Sequence, residues 1–280
     1  MIELENATAL RDPIMIAAFE GWNDAGEAAT ACVEHLEATW SARPLGSVDP
    51  DPYYDFQVNR PVIAFGTDGT RRIDWPTTRL TVATMPDSLR DVVLVRGIEP
   101  NLRWRSFCAE ILDAAATLGV ERVITLGALL ADVPHTRPVP VTIASGDRAD
   151  ADELGLEPSS YEGPTGIVGV FQNAAHHAAL SSMSLWAAVP HYVAQTPCPK
   201  ATLVLLQKLE DILDTAIPLG DIADEAEAWQ HGVDELADDD AEIADYVHRL
   251  EDARVTVDLP EASGDHIARE FERYLRRRDY

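Results

Sequence analysis

Four short apolar runs, each free of polar alternation and each followed by a stretch of helical periodicity, constrain this chain more than any other feature. Ile14 to Phe19, Val92 to Val95, Val123 to Leu126 and Leu185 to Val189 are built almost wholly from Val, Ile, Leu and Ala. A strand that is apolar on both faces must be covered on both, as in a parallel sheet held between two layers of helix. Helical patterns at Ala25 to Trp40, Arg103 to Leu118, Ile167 to Leu180 and Pro199 to Leu213 supply the crossovers that parallel neighbours need. The predicted class is α/β, a three-layer αβα sandwich around a mostly parallel sheet.

A β-rich insertion from about residue 45 to 85 interrupts the alternation. Its centre, Ile63 to Ile73, carries Asp68-Gly69, the residue pair of a tight hairpin turn. Such a hairpin either projects and packs on a neighbouring subunit or extends the edge of the same sheet. Near residue 215 the pattern changes. Asp221 to Glu261 holds 15 acidic residues against Arg249 and Arg254, about half of the net charge of −26. Ala226, Trp229, Val233 and Leu236 mark one amphipathic helix, Ile243, Tyr246, Val247 and Leu250 a second, and Ile267, Phe271, Tyr274 and Leu275 a third. Asp239 with Glu242 suits the start of the second, and Ser263 that of the third. Three short helices cannot bury their stripes alone, so residues 216–280 are expected to form an acidic helical cap on an α/β core of residues 1–215.

The negative charge repels phosphate backbones and anionic lipid, so neither nucleic acid nor membrane is an expected partner. Cys32, Cys108 and Cys198 are widely spaced and form no CxxC pair, which argues against a disulfide framework or thiolate zinc site and fits a reducing cytoplasm. The opening MIELENATALRDP has no basic-then-apolar leader pattern and no long apolar run follows, so neither a signal peptide nor a transmembrane span is expected. His176 and His177 are adjacent on a helix and cannot share a metal. No His-Glu-x-x-His, Gly-x-Ser-x-Gly or Walker A pattern occurs, and no cofactor or metal is predicted.

In open parallel sheets ligands gather beyond the carboxyl ends of the strands, which singles out four segments. Glu20-Gly21-Trp22-Asn23-Asp24 offers a carboxylate, an amide and an indole, or simply a turn whose Asn23 or Asp24 caps a helix. Tyr161 to Val170, with Glu162, Gly163, Thr165 and Gly166, runs a glycine-rich loop into a helix N-terminus suited to an oxyanion or carbonyl, or one in which Thr165 is only the cap. Gly127, Asp132, His135 and Arg137 follow the third strand as acid, base and anion contact, or as a structural loop. His191 and Tyr192 close the last core strand, where a lone His is either a base or a hydrogen-bonded structural residue.

Read together, four motifs resemble the proteasome assembly chaperone 2 family, in particular its actinobacterial branch: Gly21 to Gly26, Thr125 to Arg137, Gly163 to Ile167 and Ser184 to Val193. The resemblance implies a core similar to purine nucleoside phosphorylases and related hydrolases, although fold likeness does not transfer activity. It also implies a chaperone-like role with a protein partner. Some family chaperones dock on the proteasome through a hydrophobic-Tyr-X tail, from which Arg276 to Tyr280 departs, with Asp279 before the final Tyr. Docking by that route is therefore not expected. The preferred reading is a non-catalytic protein-binding subunit that engages another protein or itself. A homo-oligomer, with a trimer among its forms, follows from the phosphorylase-like core. The alternative is a small-molecule enzyme or sensor of nucleosidase or hydrolase type, with the ligand at the strand ends beneath the cap.

Overall fold

Strand β1 (Ile14–Glu20) lies at the middle of the sheet and is buried from Ile14 to Phe19. In the computed structural model, which describes residues 2–4, 9–66, 69–86, 88–145, 162–193 and 197–252, it pairs in parallel with β6 (Asp91–Ile98) on one side and β7 (Arg122–Ala131) on the other. Strand β9 (Ser181–Pro190) continues the parallel set beyond β7. The sheet is then completed by antiparallel strands: β5 (Arg79–Thr84) on β6, β2 (Arg43–Ser47) on β5, and β8 (Val141–Ser145) on β9. The order is β2-β5-β6-β1-β7-β9-β8, a mixed sheet whose parallel part is the central four strands. The short link from β5 to β6 leaves no room for a crossover helix, so that pair has to be antiparallel.

Alternate side chains of the central strands feed two apolar layers. Ile14, Ile16 and Ala18 face α1 (Ala28–Thr39) and α4 (Pro199–Leu213), in a cluster that includes Leu36, Leu94, Leu126, Leu185 and Leu205. Met15, Ala17 and Phe19 face α2 (Trp104–Leu118) and α3 (Ile167–His177). Phe19 meets Phe107 and Phe171 edge-on, with ring centroids 5.8 and 5.9 Å away. Cys32, Cys108 and Cys198 are free and buried, and burial raises their thiol pKa values, which keeps them in the unreactive form.

The hairpin itself does not extend the edge of the main sheet, which other strands of the insertion do. Strands β2 and β5 extend the main sheet, whereas β3 (Val62–Phe65) and β4 (Arg71–Asp74) form a separate two-stranded sheet. Gly69 takes a positive φ of 77° there, and Asp68 lies outside the described residues. On β2 the register shifts between Pro44 and Gly46, and a Cβ on Gly46 would stand 2.9 Å from the Glu3 carbonyl oxygen, so the N-terminal residues run against this outer strand.

Helix α5 (Ile222–Asp239) packs on α4, and its Ile222 and Trp229 reach the core cluster of that layer. Ala226 and Val233 point inward as the periodicity implies, but Ala237 takes the next inward place and Leu236 is 48% exposed. Because α5 runs through Asp239, the cap of α6 (Ala241–Asp252) is Asp240 instead, whose carboxylate accepts from the Glu242 and Ile243 amides at 2.9 and 3.4 Å. Val247 is the buried member of its stripe. The third predicted helix, the C-terminal tail and Tyr161 lie outside the described residues. No described helix is long and apolar enough to cross a membrane.

Phe19→Ala removes the ring on which α2 and α3 meet, and is expected to lower the unfolding free energy by about 3–5 kcal/mol in urea denaturation.

Candidate functional site

The residues singled out at the strand ends resolve into two hydrogen-bonded groups. The first lies where β1 ends. Gly21 turns the chain with φ 116°, and the segment then runs beside β7, where the Ala128 amide donates to the Asn23 carbonyl at 2.8 Å. Asp24 is buried and accepts from the Ala29 and Thr30 amides at 2.7 and 3.2 Å and from the Thr30 hydroxyl. It is thus the cap of α1. Burial raises its pKa to about 6, outweighing the hydrogen bonds that pull it down.

Asn23, only 2% exposed, donates from Nδ2 to Glu99 Oε1 at 3.0 Å. The same Glu99 oxygen accepts from the Ile167 amide at 2.8 Å. A carboxylate therefore already sits on the N-terminus of α3, where the sequence placed an oxyanion or a carbonyl, and Thr165 plays no capping part. Burial raises the Glu99 pKa against the pull of these two bonds. Gly166 is needed here, because a Cβ would lie 2.2 Å from Asn23 Nδ2. Asn23 Oδ1 finds no donor among the described residues. Thr165, Gly163 and Glu162 lie exposed on the approach to this helix. Glu99 escaped the sequence reading because the strand was ended at Val95; its signal was an acidic residue just before Pro100 at the end of a longer strand.

The Glu20 carbonyl accepts from the Glu99 amide at 2.9 Å, but its carboxylate makes no hydrogen bond to this group among the described residues. Glu20 is exposed and lines a small hollow of about 90 Å³ with Glu37, Trp75, Arg79 and Arg96, while Trp22 is half-buried. Gly127 serves packing: a Cβ there would stand 2.5 Å from the Trp186 ring.

The second group forms beyond β7 and β9, beneath α5 and α6. His135 is buried, with Nδ1 2.7 Å from the Tyr192 hydroxyl and Nε2 2.9 Å from Asp234 Oδ1. The His135 amide also donates to the Tyr192 oxygen at 2.7 Å. Nε2–H donates to the Asp234 carboxylate, and the Tyr192 hydroxyl pairs with Nδ1. Lys200 bridges the His135 carbonyl at 2.5 Å and Gln230 Oε1 at 2.6 Å, and burial lowers its pKa. Burial likewise pushes the Tyr192 phenol up to about 12. Tyr246 of α6 donates to Asp132 at 2.8 Å and meets the rings of His191 and Tyr192 at 5.2 and 5.9 Å. His191 Nδ1 lies 3.2 Å from Asp132 but out of line for a hydrogen bond. Thr136 and Arg137 bond to the Glu251 carboxylate and carbonyl. Asp132, His135, Arg137, His191 and Tyr192 thus converge as the sequence allowed, and what they contact is the chain's own helices. Among the described residues no His, Cys, Asp and Glu group has the arrangement of a metal site.

The PAC2 family profile matches residues 18–237, a span that contains the first group and the second as far as Asp234. The chain belongs to the PAC2 family. Among solved structures, a PAC2 family protein from Streptomyces avermitilis is 57% identical with a TM-score of 0.80, covering 84% of this chain and 100% of that one. A proteasome-assembly chaperone homologue from Mycobacterium tuberculosis is 52% identical with a TM-score of 0.75, covering 84% and 99%. An archaeal proteasome activator from Pyrococcus furiosus, 16% identical with a TM-score of 0.67 over 84% of this chain and 98% of that one, shares the fold. Comparison with curated proteins gives no match. The family's segment at Gly21 to Gly26 is explained by the geometry: Gly26 has φ 60° and a Cβ there would meet Cys198 Cβ at 2.7 Å.

Because the Asp24 pKa is higher folded than unfolded, its stabilising contribution is full below 3.8, the ordinary value, and is lost as pH rises through about 6. Asp24→Asn should flatten the pH dependence of unfolding by roughly 3 kcal/mol across that window, measured against the wild type so that Glu99, shifted the same way, cancels. His135→Ala removes the ring between the Tyr192 hydroxyl and the Asp234 carboxylate; it is expected to cost about 2–4 kcal/mol and to make α5 and α6 sensitive to limited proteolysis.

Proposed function

We propose that this chain is a non-catalytic, protein-binding member of the PAC2 family that acts in the manner of an assembly chaperone, with proteasome subunits as its partner class. The observation that carries this reading is the internal use of the polar groups at the strand ends. Asp24 caps α1, Glu99 holds the N-terminus of α3, and His135 with Tyr192 and Asp132 fastens α5 and α6. An enzyme of phosphorylase or hydrolase type needs such groups free for substrate. An anionic substrate in particular would have to displace the Glu99 carboxylate from the helix end. The partner class is supported by the 52% identical relative described as a proteasome-assembly chaperone homologue.

The test is native mass spectrometry of tagged protein isolated from its own cells. A stoichiometric complex with a proteasome subunit is expected, without a retained small molecule. Subunits that each carry one defined small ligand and no protein would overturn the reading in favour of an enzyme or sensor. Glu20→Ala provides a second check, since Glu20 is exposed at a strand end and makes no described side-chain bond. The variant is expected to complement a deletion strain fully, and failure with normal folding would point to acid–base chemistry at that carboxylate.

A further inference from the structure

Strand β8 ends the sheet on its β9 side and has neither a proline nor a charged residue from Val141 to Ser145. Its outer side carries open backbone groups. The Ala188 amide donates to the Pro140 carbonyl at 3.0 Å, and the register sets Val141 opposite Ala187 and Ile143 opposite Leu185. Hydrogen-bonded and non-hydrogen-bonded pairs alternate along an antiparallel ladder, so the amides and carbonyls of Val141 and Ile143 point away from β9. Among the described residues neither finds a backbone partner there. Such an edge is a template for a further strand.

The chain carries a segment that matches this edge. Near the end of α6, Glu251 is held to the β7–β8 loop: its carboxylate accepts from the Thr136 hydroxyl and its carbonyl from the Arg137 guanidinium. Residues 253–260, outside the described residues, read Ala-Arg-Val-Thr-Val-Asp-Leu-Pro. Val255, Val257 and Leu259 alternate with Thr256 and Asp258, the period of a strand with one covered face. Val141 lies four residues after Arg137, and Val255 four after Glu251. Chain leaving the Glu251 contact therefore reaches β8 in step with it.

We propose that the outer edge of β8 is a strand-acceptor site, filled in parallel by Val255 to Leu259 of the same chain, with Val255 beside Val141 and Val257 beside Ile143. Val141 and Ile143 pack on the apolar layer of α1 and α4. This register turns Val255, Val257 and Leu259 toward that layer and Thr256 and Asp258 away from it. The slanted bonds of a parallel pair run from the Val141 and Ile143 amides to the Arg254 and Thr256 carbonyls, and from the Thr256 and Asp258 amides to the Val141 and Ile143 carbonyls. The next donor in that ladder is residue 260, a proline without an N–H, so pairing stops there. Tethering through Glu251 reduces the entropic cost of bringing the segment to the edge. This site goes beyond the chaperone reading and stands independently of it.

Amide hydrogen exchange on the full chain, read residue by residue by mass spectrometry, tests this strand. The Val141 and Ile143 amides are expected to exchange at least about tenfold more slowly in the wild type than in Asp258→Pro, which removes a donor facing β8. Val257→Pro, whose lost N–H faces away from β8, should change them less. Unchanged protection of the β1 and β7 amides confirms that each variant is folded. Thr142→Cys with Thr256→Cys should form a disulfide under mild oxidation, since parallel neighbours stand within its reach, whereas Thr142→Cys with Leu259→Cys should not. The native cysteines are buried and do not interfere. Fast exchange of both amides in the wild type would overturn the proposal. Slow exchange indifferent to Asp258→Pro would give the edge to residues 146–161, and slow exchange lost on dilution would give it to a second copy; either result overturns pairing with Val255 to Leu259.

Discussion

Burial of β1 on both faces is the constraint from which the rest of the molecule follows. Ile14 to Phe19 reach at most 4% exposure, and side chains that alternate between two dry faces require two separate layers of helix. Each layer comes from helices distant in sequence: α1 with α4 on one side, α2 with α3 on the other. The strand-to-helix turns must therefore gather at one end of the sheet. Everything polar that the chain places at that end is held by this geometry, including Asn23 and Asp24 after β1, Glu99 after β6, His135 after β7 and Tyr192 after β9.

The two polar groups share a logic. A helix N-terminus buried against the sheet presents amide donors that need acceptors, and the chain supplies carboxylates from within, Asp24 for α1 and Glu99 for α3. Both carboxyls are raised in pKa because burial outweighs the donors they receive. At the other group an imidazole is wedged between a phenol and a carboxylate.

Much of this was legible in the sequence because the central strands report their own environment. Ile14 to Phe19 and Leu185 to Val189 can only be covered strands, and helix α4 begins at Pro199 and ends at Leu213 where the periodicity puts its ends. The edge strands were harder. β8, Val141–Ser145, is half-buried on most of its length and looks like loop, because one-sided pairing imposes little pattern. Convergence of Asp132, His135 and Tyr192 follows from the strand-end rule, but the partners Asp234 of His135 and Tyr246 of Asp132 come from helices 99 and 114 residues farther along the chain. Nothing local marks such pairings. Leu236 fits a helical stripe by spacing alone, yet the direction of α5 is set by Ala226, Val233 and Ala237, and that rotation leaves it outside.

The outer strand β2 has a consequence of another kind. Pro44 removes one backbone donor from its free side, the register shift beside Gly46 breaks the regularity of that side, and the first residues of the chain run across it. An interrupted, partly covered edge is a poor template for adding a further strand. Strand addition from a second sheet, the contact through which exposed edges template fibrils, is blocked at this margin.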